Sequence, residues 1–245
     1  MTNKGGTIGQ WYQRLRYQWR SGGPVITGAI VVICVVMWLI EIFCKYAAPM
    51  KFAFLVYNGA FMPALAFGKP WTWLTSMFLH DPNVFHVLFN MLTLIAIGPY
   101  LEKLLDHWNF LAFYLICGLG GAEGLLVYSA VTHDWGISAY GASDALFGLF
   151  AALLMVFRTT KTDIRGMLMC LAVNFAMPLF MPEVAWQSHL GGFIVGLVLT
   201  WLLLKGTRAL RYRPLWQRML VYDAIVVVVL IVLAALLMPA QIPYS

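Results

Sequence analysis

Charge is what this sequence has least of: 11% of its 245 residues are Asp, Glu, Lys or Arg, while 62% are hydrophobic. A soluble domain needs about 25% charged residues to cover its surface, so the composition excludes one and points to a polytopic membrane protein. The mean hydropathy of +0.80 agrees. Cysteine is scarce too. Cys34, Cys44, Cys117 and Cys170 lie in or beside apolar runs with no CxxC pair, so they read as small core residues, and neither a disulfide framework nor a zinc site is implied. There is no HExxH, which removes a zinc peptidase. Low-complexity tracts and internal repeats are absent as well, which argues against a transporter built from repeated halves with broken helices. The net charge of +6 is spread between apolar runs rather than gathered in one patch, and so carries no nucleic-acid signature.

What is present is a series of apolar runs. They predict membrane spans over residues 24–43, 84–101, 108–131, 143–157, 166–181, 186–204 and 219–238. The fold expected is therefore all-α: a six-helix core over 24–205, then a basic loop and a seventh, C-terminal transmembrane helix over 206–245. Residues 1–23 hold Lys4, Arg14, Arg16 and Arg20 interleaved with Trp11, Tyr12, Tyr17 and Trp19, and read as a basic cytoplasmic or interfacial arm. The run from residue 24 is too long and too late for a cleavable signal peptide and is expected to stay as an anchor. Residues 45–82 are too apolar for a free loop and too broken for a span. Half-helices are expected at 52–57 and 70–79, partly embedded at the interface.

Basic residues set the orientation. With the amino terminus inside, the inner segments hold Lys4, Arg14, Arg16, Arg20, Lys103, Arg158, Lys161, Arg165, Lys205, Arg208, Arg211, Arg213 and Arg218; the outer ones hold only Lys45, Lys51 and Lys69. The expected location is the plasma (inner) membrane, with the carboxy terminus outside.

This topology converts sequence into depth. Ser143 stands between small residues in Gly141-Ala142-Ser143, at the outer start of the fourth span, where free N–H groups and the helix dipole favour developing negative charge. By itself the motif fits a capping or packing serine equally well. His189, one turn inside the sixth span, and His86 with Asn90, four apart on one face of the second, fall in the same outer layer. Residues 143–157 cover only about 22 Å, so Ser143 is expected below the outer surface, in a cavity water can reach. Gly192 and Gly196 make a small face on the sixth span, matched by Gly148 and Ala152 on the fourth, which permits the close approach a Ser143–His189 hydrogen bond requires. Together these groups fit an acyl-transfer dyad opening to the outer side, with Ser143 as nucleophile and His189 as base; His86, Asn90 and the Ser143 N–H are the oxyanion donors. His80 is a candidate for the same pocket. His107 and His133 read as ordinary loop histidines, and Glu123 is expected to face a polar partner.

These residues resemble the rhomboid family of intramembrane serine proteases. The resemblance runs from Pro70-Trp71 to Gly196 and rests on Phe78-Leu79-His80, His86-Val87-Leu88-Phe89-Asn90-Met91, Gly141-Ala142-Ser143 with Ala145 and Phe147-Gly148, and His189-Leu190-Gly191-Gly192. Gly98-Pro99-Tyr100-Leu101-Glu102 looks like the family's end of the second helix. The resemblance implies a six-helix core with a seventh helix as a known variant, and the same roles for Ser143, His189, His86 and Asn90. It adds an aromatic, Phe147, packed on the catalytic imidazole. It implies no metal, no cofactor and no third acid, and transmembrane protein substrates that enter laterally from the lipid bilayer. Two departures stand out. Asp144 replaces the family's usual glycine and is a candidate modulator of the His189 pKa, and the step from His80 to His86 is one residue longer than is common.

Two other functions compete. A catalytically impaired rhomboid-like protein that binds or escorts membrane clients would typically have lost the serine or the histidine, and both are here. Tyr222-Asp223 and Gly141-Ala142-Ser143-Asp144 loosely resemble the two-aspartate intramembrane proteases. Asp223 and Asp144, however, begin their spans on opposite sides of the membrane and cannot share a proton.

Overall fold

The computed structural model describes residues 7–176 and 185–239, and all regular elements among them are helical. Helix α1 (Thr7–Arg20) is the basic arm. It is followed by α2 (Val25–Ala47), α3 (Pro49–Gly59), α4 (Thr72–Thr75), α5 (Val84–Leu105), α6 (His107–Thr132), α7 (Ser143–Thr160), α8 (Arg165–Ala176), α9 (Trp186–Lys205) and α10 (Leu215–Leu237). Six of these, α2, α5, α6, α7, α9 and α10, are long and apolar enough to cross a membrane. The chain is thus a multi-pass membrane protein. The expected span at 166–181 begins as α8, which is described over 12 residues; positions 177–181 lie outside the described residues.

Several ends differ from the expected ones for local reasons. Helix α5 continues through Pro99 to Leu105, because Glu102 is anchored there. Its carboxylate accepts from the N–H groups of Ile26 and Thr27, both at 2.8 Å, and from Thr27 Oγ1 at 2.6 Å. Those N–H groups belong to the first turn of α2 and have no partner within their own helix, so Glu102 caps it. His107 is not a loop residue. It is buried at the start of α6, with Nδ1 2.5 Å from Glu102 Oε1, Nε2 2.9 Å from the Trp19 carbonyl oxygen, and its ring stacked on Trp19. Helix α7 has 18 residues, about 27 Å long, and so exceeds the expected 143–157. Its last turn holds because Thr159 and Thr160 hydroxyls donate back to the Met155 and Val156 carbonyls.

The core forms around α7. Every residue from Asp144 to Leu153 is buried, and apart from Asp144 that stretch is apolar all round, as a central helix requires. Helices α6 and α9 flank it, and glycine makes the contacts. A Cβ on Gly192 would overlap the Asp144 carbonyl oxygen, and one on Gly196 the Gly148 carbonyl oxygen. A Cβ on Gly124 of α6 would lie 2.9 Å from the Gly191 Cα of α9. Without such side chains the backbones approach to van der Waals contact, which stands in for the hydrophobic effect between helices in lipid.

Residues 45–82 are organised: α3 covers the expected half-helix at 52–57, α4 and a 3₁₀ turn at Ser76–Phe78 fall within the expected 70–79, and a further 3₁₀ turn lies at Pro63–Leu65. They are stitched to the α6–α7 connection. Phe61 and Ala139 exchange both backbone hydrogen bonds, at 3.0 and 2.9 Å, and Ala64 N–H donates to the Trp135 carbonyl. The connection that leads into the serine is thereby held in place.

Candidate active site

Ser143 is the first residue of α7 and His189 lies one turn into α9. The glycine contacts between these helices bring His189 Nε2 to 2.9 Å from Ser143 Oγ, a hydrogen-bond distance. Phe147, one turn below the serine on the same face, stacks on the imidazole with centroids 4.3 Å apart and planes 18° from parallel. Phe175 of α8 meets the Phe147 ring edge-on at 4.5 Å. The histidine ring is clamped between helices, and its Nδ1 has no hydrogen-bond partner among the described residues. No described acid orients it.

His86 and Asn90 of α5 face the same cavity, of about 500 Å³, which Ser143, His189, Asp81, Tyr140 and Asn174 also line. The Asp81 N–H donates to His86 Nδ1 at 3.1 Å. A nitrogen that accepts carries no proton, so the neutral ring has its hydrogen on Nε2 and presents a donor there. Asn90 Nδ2 donates one hydrogen to the His86 carbonyl at 2.9 Å and keeps a second. Gly141, two residues before the serine, has φ +146°, a conformation that favours glycine. A Cβ there would lie 3.0 Å from His86 Nε2 and 3.4 Å from Ser143 Oγ, inside the gap between nucleophile and donor. The Gly141 N–H donates to the Ser76 carbonyl at 2.9 Å, which fixes the turn. Asp81 and Ser76 carried no signal in the sequence, whereas Gly141 was marked by its place in Gly141-Ala142-Ser143 at a helix start.

His80 is not part of the cavity lining. It sits behind His86, ring centroids 5.3 Å apart, fully buried, with neither ring nitrogen hydrogen-bonded among the described residues. Burial, with some repulsion from His86, pushes its pKa down to about 3. Its N–H donates to the Glu41 carboxylate at 3.0 Å, tying the loop to α2. Burial, with the Asp81 and Glu41 carboxylates adding, raises Tyr140 to about 12, so it lines the cavity as a neutral phenol.

Asp144 turns toward α6. A Cβ on Gly121 would lie 2.7 Å from its Cγ, so Gly121 is what makes room for this carboxylate. Glu123, expected to face a polar partner, is buried with both oxygens unpaired among the described residues. No group of three or more metal-ligating side chains converges among the described residues.

The Rhomboid domain model matches residues 67–206, a stretch that contains every residue of this cavity. The chain belongs to the rhomboid family. Among its relatives is RHOMBOID-like protein 1 of Arabidopsis thaliana, 38% identical over 136 residues, which are 53% of this rhomboid and 33% of that protein. Rhomboid protease GluP of Bacillus subtilis is 29% identical over 186 residues, 72% of this chain and 34% of its own. Rhomboid-type serine protease 2 of Emericella nidulans is 31% identical over 144 residues, 56% of this chain and 27% of its own. The chain spans about a third or less of the length of these three relatives. Two of them are named as proteases, so at the level of the family this rhomboid is related to serine proteases.

Proposed function

We propose that this chain is an intramembrane serine endopeptidase that cleaves transmembrane segments of other membrane proteins. The observation that carries the reading is the 2.9 Å approach of His189 Nε2 to Ser143 Oγ within a cavity that also holds His86 and Asn90. In the first step His189 Nε2 takes the Ser143 proton as Oγ attacks the scissile carbonyl carbon. The carbonyl oxygen becomes an oxyanion, met by His86 Nε2–H, the second Asn90 Nδ2–H and the Ser143 N–H at the start of α7. Collapse breaks the C–N bond, and the imidazolium gives its proton to the leaving amine. Water, deprotonated by the same histidine, then releases the acyl group and restores the serine. Phe147 keeps the imidazole in plane through both proton transfers. Asp144 enters as a modulator of the dyad's protonation, not as a third catalytic member.

The positive-inside pattern supports placing this chain in the plasma (inner) membrane, amino terminus cytoplasmic and carboxy terminus outside, with the cavity opening outward. Residues 24–205 form the protease core in this reading, 1–23 the interfacial arm and 206–245 the appended loop and helix.

Fluorophosphonate labelling with a fluorescent transmembrane-segment substrate tests the reading. The expected outcome is labelling and cleavage by the purified protein and loss of both in Ser143→Ala. A folded protein that binds the substrate but neither labels nor cleaves is instead a client-binding relative.

A further inference from the structure

A second cavity, of about 310 Å³, lies at the opposite end of α9 from His189, where α9 ends and α10 begins. Four cationic side chains line it, Lys205, Arg208, Arg211 and Arg218, together with Tyr222, and no carboxylate is among the lining residues. The nearest acid in sequence, Asp223, begins the next stretch of α10 and does not line it. Four like charges in one concavity repel one another, and the fold holds them there by identifiable means. After Gly206 the chain winds in tight turns: Leu210 N–H donates to Thr207, Arg211 to Arg208 and Arg213 to Leu210. In such i→i+3 turns side chains three apart eclipse, which puts Arg208 and Arg211 on one side. Gly206 is required because a Cβ there would overlap the Tyr222 hydroxyl. That hydroxyl accepts from the Thr207 N–H at 3.1 Å, which leaves its own hydrogen to donate. Arg218 gives one Nη2–H to the Leu203 carbonyl, while its buried Nε has no partner among the described residues. A concave set of guanidinium and hydroxyl donors with one buried N–H unpaired has the chemistry of a phosphate receptor.

The setting selects the source of the phosphate. The cavity sits where two spanning helices reach the membrane surface, the depth of lipid headgroups. Trp201, Leu204 and Trp216 stand exposed beside it, and the apolar face of α10 below it, with Leu220 and Val228, is uncovered. A ligand with a phosphate head and apolar tails meets both surfaces; a free ion meets only the first. We propose that this cavity is a binding site for the phosphate of an anionic phospholipid in the leaflet at the basic end of the helices.

The test uses the full chain in neutral maltoside detergent and native mass spectrometry with phosphatidylglycerol, phosphatidylcholine and inorganic phosphate. One phosphatidylglycerol is expected to be retained, at least about ten-fold more tightly than phosphatidylcholine. Arg208→Gln with Arg211→Gln, both exposed and so compatible with folding, is expected to weaken it by about thirty-fold. Arg14→Gln with Arg16→Gln on α1 serves as the control and is expected to leave it unchanged. Equal retention of the two lipids overturns the proposal, as does equal loss in the two double variants, since the attraction is then diffuse. Inorganic phosphate competing as well as the lipid also overturns it, because the cavity is then a free-anion site. None of these readouts depends on proteolysis.

Discussion

Gly192 of α9 meets the Asp144 carbonyl of α7 so closely that a single added methyl group would overlap it. This contact sets the distance between the helices that carry His189 and Ser143. Gly192→Ala is therefore expected to push α9 away, lengthen the 2.9 Å Ser143–His189 approach and lower the melting temperature. An overpacked contact typically costs about 1–3 kcal/mol, and a misplaced base costs about a hundred-fold in rate. Cleavage and thermal unfolding of the same preparation check both. Wild-type turnover in Gly192→Ala would show that this contact does not position the dyad.

Asn90→Ala separates two roles for this amide. A donor aimed at the oxyanion is worth about 10²–10³ in kcat, and the amide's second hydrogen points to that role. The expected outcome is a fall in kcat with KM little changed. A change confined to KM would move Asn90 to substrate binding.

Gly141→Ala probes the same space differently. Its Cβ would stand 3.0 Å from His86 Nε2, and the φ of +146° disfavours any side chain. Turnover is expected to drop by at least about a hundred-fold, while fluorophosphonate labelling, which needs a smaller space, falls less. Equal loss of both would point to misfolding of the loop.

Ionisation at position 144 is separable from size. Asp144→Asn keeps the packing on Gly121 and removes the titratable group. The expected result is an unchanged melting temperature with a displaced pH profile of kcat/KM. Superimposable profiles would leave Asp144 a packing residue only.

His80 links pH to stability outside the spanning helices. Its folded pKa of about 3 lies below the ordinary 6.5, so between these values the unfolded chain binds a proton that the folded chain does not. The contribution is present in full above about pH 6.5 and is lost as pH falls toward 3. The melting temperature is expected to fall between pH 7.5 and 4.5, and to fall less in His80→Gln. Parallel curves would assign the acid sensitivity elsewhere.

The sequence by itself determined six spanning helices, α2, α5, α6, α7, α9 and α10, and the layer at which the polar groups lie. Lipid is a solvent in which an apolar run must form a helix, and length and charge bias are local properties that need no partner. It also marked Ser143, His189, His86 and Asn90, because a polar group inside an apolar run stands out in one dimension. It could not say that Asp144 faces Gly121, that Glu102 reaches 75 residues back to cap α2, or that Asp81 decides which nitrogen of His86 is a donor. Those depend on which helix faces meet, and in a membrane that choice rests on the fit of small residues between three helices and on loops bonded across the fold. Such fits join residues far apart in the chain, and only the tertiary structure brings them together.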